Sequence, residues 1–147
     1  MTRLWLVMLL ALPVAGCSDQ PDCLPTKLDV SPIDVPDVTS PISLSARLTR
    51  DGHPVVGASV GLAFAIKSEL GGSGGMPQYV RTDADGVAKR EQPAGVAGVG
   101  LAGDRVEGYE AYFQPLTTAD GFTDHCWSKV SAPITCAGVA CPPTPKP

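Results

Sequence analysis

Alternation of apolar and polar side chains is the feature that most restricts the fold of this 147-residue chain. From Ile42 to Thr49 every second residue is apolar, and the same period recurs from Val60 to Ile66. A period of two places the apolar side chains on one face of an extended strand. No segment after residue 17 shows the period of an amphipathic helix. The pattern therefore predicts an all-β fold.

Shorter apolar runs, separated by turn residues such as Asp51-Gly52, predict the other strands. The prolines between Ser18 and Ser40 favour a tether followed by an edge strand, because proline cannot donate to a central ladder. Ala137–Pro147 is predicted to be an extended tail. The remaining strands are predicted at Lys27–Val30, at Gln78–Thr82 and Val87–Arg90 as a hairpin around Asp83–Gly86, at Val96–Ala102, at Val106–Leu116 and at Phe122–Val130. About seven or eight short strands at this spacing predict an antiparallel β-sandwich.

Two stretches of the sequence resemble known sandwich domains. They are Gly52-His53-Pro54-Val55-Val56-Gly57-Ala58-Ser59-Val60 and Thr82-Asp83-Ala84-Asp85-Gly86-Val87-Ala88. The pair is similar to a motif of bacterial Ig-like domains of the invasin and intimin type, and to prealbumin-like domains appended to carboxypeptidases. The likeness covers Ile42 to Phe113 and implies a sandwich that acts as a structural or docking module without catalysis. We therefore divide the chain into a tether and edge strand at 17–40, an Ig-like sandwich at 41–136 and a tail at 137–147.

The first 16 residues have the organisation of a bacterial secretory signal. Arg3 precedes an apolar run from Leu4 to Ala15, which is shorter than the roughly 20 residues of a membrane-spanning helix. The run ends in Val14-Ala15-Gly16-Cys17, which resembles the lipobox at which bacterial lipoproteins are lipidated and cleaved. We predict that Cys17 carries a diacylglyceryl group and anchors the exported protein in the cell membrane or outer membrane, facing the periplasm or the exterior. An ordinary secretory signal is the alternative.

Four cysteines remain when Cys17 is assigned to the lipid: Cys23, Cys126, Cys136 and Cys141. An even number in an exported chain predicts two disulfides. A metal site is the competing interpretation, with Cys136 and Cys141 as ligands and His125 beside Cys126, although zinc sites more often space their cysteines by two residues. Cysteine spacing leaves three pairings open. In Ig-like sandwiches part of the first strand runs parallel to the last, so the resemblance implies Cys23–Cys126 with Cys136–Cys141.

Three short motifs match functional signatures by letter only. Gly71–Gly75 matches the nucleophile elbow and Gly98–Gly103 matches the dinucleotide-binding fingerprint, but neither is followed by the helix that these signatures require. Asp83–Gly86 matches half of a calcium loop without the further acidic ligands of an EF-hand, so a turn is expected, with weak calcium binding as the alternative. His53 and His125 belong to no recognisable catalytic arrangement. We predict neither an enzyme nor a cofactor.

Charge excludes one class of partner. Without Arg3 the exported chain has ten basic and fifteen acidic side chains, and no basic stripe that would bind nucleic acid. We predict a membrane-anchored envelope lipoprotein whose structural or interaction module contacts another envelope protein or a wall component. The alternative function is binding of a carbohydrate or peptidoglycan fragment through Trp127, Tyr109 or Tyr112. For Trp127, packing on the neighbouring disulfide is the alternative to a sugar contact.

Overall fold

The computed structural model of the protein describes residues 23–68, 71, 74–115 and 121–144. The predicted signal segment, the lipobox-like sequence and Cys17 lie outside the described residues. Within the described part, ten strands and one short 3₁₀ helix, Val96–Gly98, confirm the predicted all-β fold. The strands are β1 (Lys27–Val30), β2 (Ile33–Val35), β3 (Ile42–Arg50), β4 (His53–Pro54), β5 (Ser59–Lys67), β6 (Gln78–Arg81), β7 (Val87–Gln92), β8 (Arg105–Phe113), β9 (Ser128–Cys136) and β10 (Val139–Ala140).

The smaller sheet is built around β3. This strand pairs antiparallel with β7 along Ile42–Arg47, with β1 along Ala46–Thr49, and with the short β4 at its end. Asp51 and Gly52 form the predicted turn between β3 and β4, and both have positive φ. Tight two-residue hairpin turns of type I′ require this conformation at both positions, which explains the Asp-Gly pair.

The larger sheet has the strand order β10-β9-β8-β5-β6, with antiparallel neighbours throughout. β2 joins the same sheet by pairing parallel with β9. The pairing of β5 with β8 shifts between Ala65 and Ile66, near the end of β5. The three strands in the middle of this order, β9, β8 and β5, have nine residues each and form the centre of the sheet.

A single apolar core fills the space between the two sheets. Leu44 and Leu48 of β3 are buried in it, together with Leu62 of β5 and Ile134 of β9. Full burial of one such side chain stabilises the fold by roughly 1.5–3 kcal/mol. The polar residues that alternate with the apolar ones on β3, such as Ser43, face solvent. The predicted antiparallel β-sandwich is confirmed.

The N-terminal part of the described chain contributes to both sheets. β1 pairs with β3 in the smaller sheet, and after Ser31-Pro32 the chain enters the larger sheet as β2. The expected parallel pairing between the first and last strands is therefore made by β2. The segment 17–40, predicted as tether and edge strand, thus includes a second strand that the sequence analysis missed.

The predicted hairpin of Gln78–Thr82 and Val87–Arg90 is wrong. Both segments are strands, but β6 pairs with β5 while β7 pairs with β3, so Asp83–Gly86 connects the two sheets. The buried Thr82 holds the chain at this crossing. Its hydroxyl donates to the Val55 carbonyl at 2.7 Å and accepts from the Ala58 N–H at 2.9 Å.

The predicted strand Val96–Ala102 is also wrong, because the segment begins as the 3₁₀ helix and continues as turns. Val96 and Val99 are buried and hold the segment on the core. Gly95 has φ +60° and lies so close to the backbone of Val38 that a Cβ atom would be 2.5 Å from its carbonyl oxygen. The Ala97 N–H donates to the same carbonyl.

The last long strand and the tail also differ from expectation. The last strand is β9, Ser128–Cys136, and not the predicted Phe122–Val130, because the chain before it forms a turn at 123–124 and an isolated bridge at His125. The predicted tail returns along β9 as β10. The Asp34 carboxylate accepts hydrogen bonds from Thr135 Oγ1 at 2.6 Å and the Gly138 N–H at 2.8 Å, which lower its pKa. Residues 137–144 therefore pack on the sandwich.

Candidate functional site

Both predicted disulfide pairs are present. Cys23 is bonded to Cys126, with their Cα atoms 5.0 Å apart, and Cys136 is bonded to Cys141 at 4.9 Å. Cys126 lies just before β9, where Leu24 and His125 form a parallel bridge. This bridge brings Cys23 beside Cys126 although β9 itself starts later than predicted. The four sulfurs are bonded to one another and are not available as metal-binding thiolates.

Tyr109, one of the predicted ligand-binding residues, lies in the apolar core. Its side chain is 1 % exposed, and its hydroxyl lies 3.0 Å from the Ser31 carbonyl and 3.1 Å from the Ser45 carbonyl. The same hydroxyl accepts from the Ser31 N–H at 3.3 Å. Burial raises the pKa of Tyr109, although the backbone contacts oppose this effect. The hydroxyl fastens the crossing between β1 and β2 to β3.

Tyr112 lies on the outer face of the larger sheet, where it is half-buried. Its hydroxyl donates to the Glu110 carboxylate, and Lys129 Nζ lies 5.0 Å from the centre of its ring. Lys129 also forms an ion pair with Glu110 at 2.9 Å. Tyr112 is therefore held in place at the surface by two charged neighbours.

Tyr79, which no sequence pattern indicated as a site residue, is 52 % exposed on the edge strand β6. Gly61 of β5 pairs with Tyr79 on one side and with Tyr112 on the other, and Tyr112 pairs with Lys129 of β9. Residues in register on neighbouring strands share a face. We call the set Tyr79, Gly61, Tyr112 and Lys129 the tyrosine row.

The absence of a side chain at Gly61 shapes this row. A Cβ atom at Gly61 would lie 3.0 Å from Tyr79 Cε1, so the tyrosine ring lies directly against the strand. The next outward-facing residue of β5, Ala63, is also small and is 1 % exposed. The row therefore presents aromatic side chains close to the sheet. Only the pairing of four neighbouring strands brings these residues together, and no local sequence pattern indicates it.

Trp127 lies beside the first disulfide in sequence and directly precedes β9. Its side chain is 55 % exposed, so packing on the disulfide does not bury it. Lys129, two residues later, belongs to the tyrosine row. Trp127 is thus a surface residue at the end of the larger sheet where Cys23 is bonded.

His125 forms a second polar cluster at this end of the sandwich. Its side chain is 7 % exposed, and its ring packs edge-on against Phe113 and Phe122. Nδ1 lies 2.6 Å from Asp124 Oδ1, and Nε2 lies 3.3 Å from the Arg50 guanidinium. A neutral imidazole that donates to Asp124 and accepts from Arg50 satisfies both contacts. An open pocket is lined by His125, Asp124 and Arg50, and the exposed His53 lines it too.

The motifs that match signatures by letter have structural roles where they are described. Asp83 Oδ1 accepts hydrogen bonds from the N–H groups of Asp85 and Val87, both at 2.9 Å, and so closes the turn between β6 and β7. Gly98–Gly103 runs through the end of the 3₁₀ helix and turns, and Gly71–Gly75 lies partly outside the described residues. In the described ranges no group of three or more His, Cys, Asp or Glu could hold a metal ion.

No known protein family, no curated protein and no solved structure matches this chain. Among the residues that the structure describes, no helix has the length and apolar character needed to cross a bilayer.

Proposed function

We propose that the chain is an exported lipoprotein of the bacterial cell envelope, anchored through Cys17, whose sandwich binds a partner without catalysis. The lipobox-like sequence Val14–Cys17 supports the anchor. Cysteine usage supports it too, because the two disulfides use the four other cysteines of the chain. Disulfides persist in oxidising compartments, which agrees with export.

The observation that carries the binding role is the exposed Tyr79 lying against Gly61 in register with Tyr112. Tyrosine offers a large and rigid contact area, with a hydroxyl that still satisfies polar groups, and it is enriched in protein interfaces. Lys129 and Glu110 add opposite charges beside the rings. We propose another envelope protein as the partner.

A wall glycan is the second candidate partner. Its support is the flatness that Gly61 gives to the row, because the apolar face of a sugar ring can pack on an aromatic face that lies along the sheet. Binding sites for small ligands commonly combine aromatic walls with a few polar groups that fix orientation. Here those groups are the Lys129 ammonium and the Glu110 carboxylate.

A photo-activated cross-linking residue placed at Tyr79 tests the binding role in intact cells. The matched control places the same residue at Lys89, which is exposed on β7 of the smaller sheet. We expect an adduct at position 79 that is missing at position 89. A discrete protein adduct supports the first candidate, and an adduct released by a wall-degrading muramidase supports the second. Equal adducts at both positions, or none, would contradict the proposal.

A further inference from the structure

The end of the sandwich that holds the Cys23–Cys126 disulfide has a distinct surface. Leu24 bridges His125 there, β3 ends there at Arg50, and β9 begins there after Trp127. We call this region the anchor-side end. Cys136 and β10 lie at the opposite end, because β9 spans nine residues between them.

The tether to the lipid is short. Five residues separate Cys17 from Cys23, and even a fully extended chain with the six Cα–Cα steps between them reaches only about 22 Å. A nine-residue strand such as β9 is about 30 Å long. If Cys17 carries the lipid, as the proposed function requires, the tether holds the anchor-side end within a distance of the bilayer that is shorter than β9.

Three apolar side chains are exposed at this end. Leu24 is 38 % exposed, Val56 is 53 % exposed and Trp127 is 55 % exposed. Val56 lies on the rim of the open pocket that His125 and Arg50 also line. Tryptophan is enriched where membranes meet water, because its ring is apolar and its indole N–H is polar. Single exposed apolar residues are ordinary on soluble surfaces, but a short tether gives these a high effective concentration at the lipid surface.

The charges at the anchor-side end do not favour an anionic surface. Arg50 and His53 are accompanied by Asp51 and Asp124, and the tether sequence before Cys23 adds Asp19 and Asp22. Attraction to anionic lipids requires clustered basic residues, each contributing about 1 kcal/mol. A contact made here with lipid is therefore apolar and insensitive to salt.

We propose that the anchor-side end rests on the lipid surface through Trp127, Leu24 and Val56. The lipid anchor and this contact together fix the orientation of the sandwich. The tyrosine row then lies close to the membrane, because Tyr112 is the residue before the end of β8 and Lys129 is the second residue of β9. A partner of the tyrosine row must therefore bind at the level of the membrane surface.

Trp127 is the only tryptophan after residue 16, so the lipidated protein carries its own fluorescent reporter. The protein is purified from membranes, its acyl mass is verified, and it is reconstituted into phosphatidylcholine vesicles. Some vesicles contain lipids brominated in the upper part of their acyl chains. We expect Trp127 emission to shift to shorter wavelength and to be quenched by bromine, equally at low and high salt.

The matched control carries Trp127→Phe and Val139→Trp, which moves the reporter to an exposed site at the opposite end. Quenching should be severalfold weaker there. A second variant, Leu24→Ser with Val56→Ser, keeps Trp127 and should reduce its quenching. Protein without acyl mass would contradict the proposed anchor. Acylated protein in which Trp127 is quenched no more than the tryptophan at 139 would overturn the membrane contact alone.

Discussion

At the scale of single residues, the hydroxyl of Tyr109 connects β8 to two other backbone segments. It contacts Ser31, at the crossing between β1 and β2, and Ser45 of β3. A buried polar group is tolerated when it is hydrogen-bonded, and the backbone groups it serves lose their partner when it is removed. Tyr109 therefore has a structural role, which the sequence alone does not distinguish from ligand binding.

Replacing Tyr109 by Phe keeps the ring and removes the hydroxyl. We expect the free energy of unfolding to fall by about 1–3 kcal/mol, because the Ser31 and Ser45 carbonyls lose a donor inside the protein. Urea denaturation measures this loss. The control is Tyr79→Phe, which alters a half-exposed side chain and should leave the stability almost unchanged. Equal effects of the two variants would contradict the assigned role.

Alkaline pH tests the same residue independently. Burial raises the pKa of Tyr109 in the folded state above its value in the unfolded chain, about 10. The contribution of the Tyr109 hydroxyl to the free energy of unfolding is therefore complete below the unfolded-state pKa. It is lost as pH rises through the folded-state pKa, because Tyr109 releases its proton first in the unfolded chain. The stability difference between wild type and Tyr109→Phe should narrow above this pH. A difference that stays constant would show that Tyr109 ionises equally in both states.

At the scale of elements, strands that point every second large apolar residue into the core were predictable, and the pairing partners of the strands were not. β3 and β5 point every second residue into the core, so the sequence shows an apolar period of two in both strands. β9 also alternates, with Ala132 and Ile134 buried, but Pro133 interrupts the pattern as a residue that argues against an interior strand. The strand tolerates Pro133 because it is the last β9 residue paired with β8, opposite Gly108.

The other differences between the predicted and the observed fold arise from strand pairing, which depends on contacts between residues far apart in the sequence. Nothing in Gln78–Arg90 shows that its two strands enter different sheets, since the crossing depends on the contacts of Thr82 with Val55 and Ala58. The tyrosine row has the same origin, because Tyr79 meets Gly61 only through the register of β6 with β5. Of the aromatic residues predicted to bind ligand, Tyr112 and Trp127 are at the surface and Tyr109 is not.

The two disulfides should differ in their contribution to stability. Cys23–Cys126 closes a loop of 103 positions, for which the chain-entropy model assigns about 4.7 kcal/mol, while the five-position loop of Cys136–Cys141 corresponds to about 2 kcal/mol. The double variant Cys23→Ser with Cys126→Ser should therefore unfold at markedly lower denaturant than Cys136→Ser with Cys141→Ser. Denaturation of both variants beside wild type measures the order, and a reversed order would contradict it.

At the scale of the whole molecule, the proposed lipid anchor depends on one sulfur atom, that of Cys17. Cys17→Ala should abolish incorporation of a labelled fatty acid and move the protein into the aqueous phase of a detergent partition. The reason is that the thioether has no other attachment point, and stable anchoring needs more than one acyl chain. The control is Cys23→Ser, which should remain labelled. Equal labelling of wild type and Cys17→Ala would contradict the lipoprotein assignment.

The two disulfides also determine how the protein responds to tension between its ends. Covalent continuity runs from Cys23 directly to Cys126, along β9 to Cys136, and across to Cys141. The intervening loops carry no load, and β9 is already extended at about 3.3 Å per residue. A single oxidised molecule pulled between residues 23 and 141 should therefore lengthen hardly at all, whereas a reducing agent should release more than a hundred residues of slack. Under tension between these two residues, the domain behaves as a nearly inextensible link.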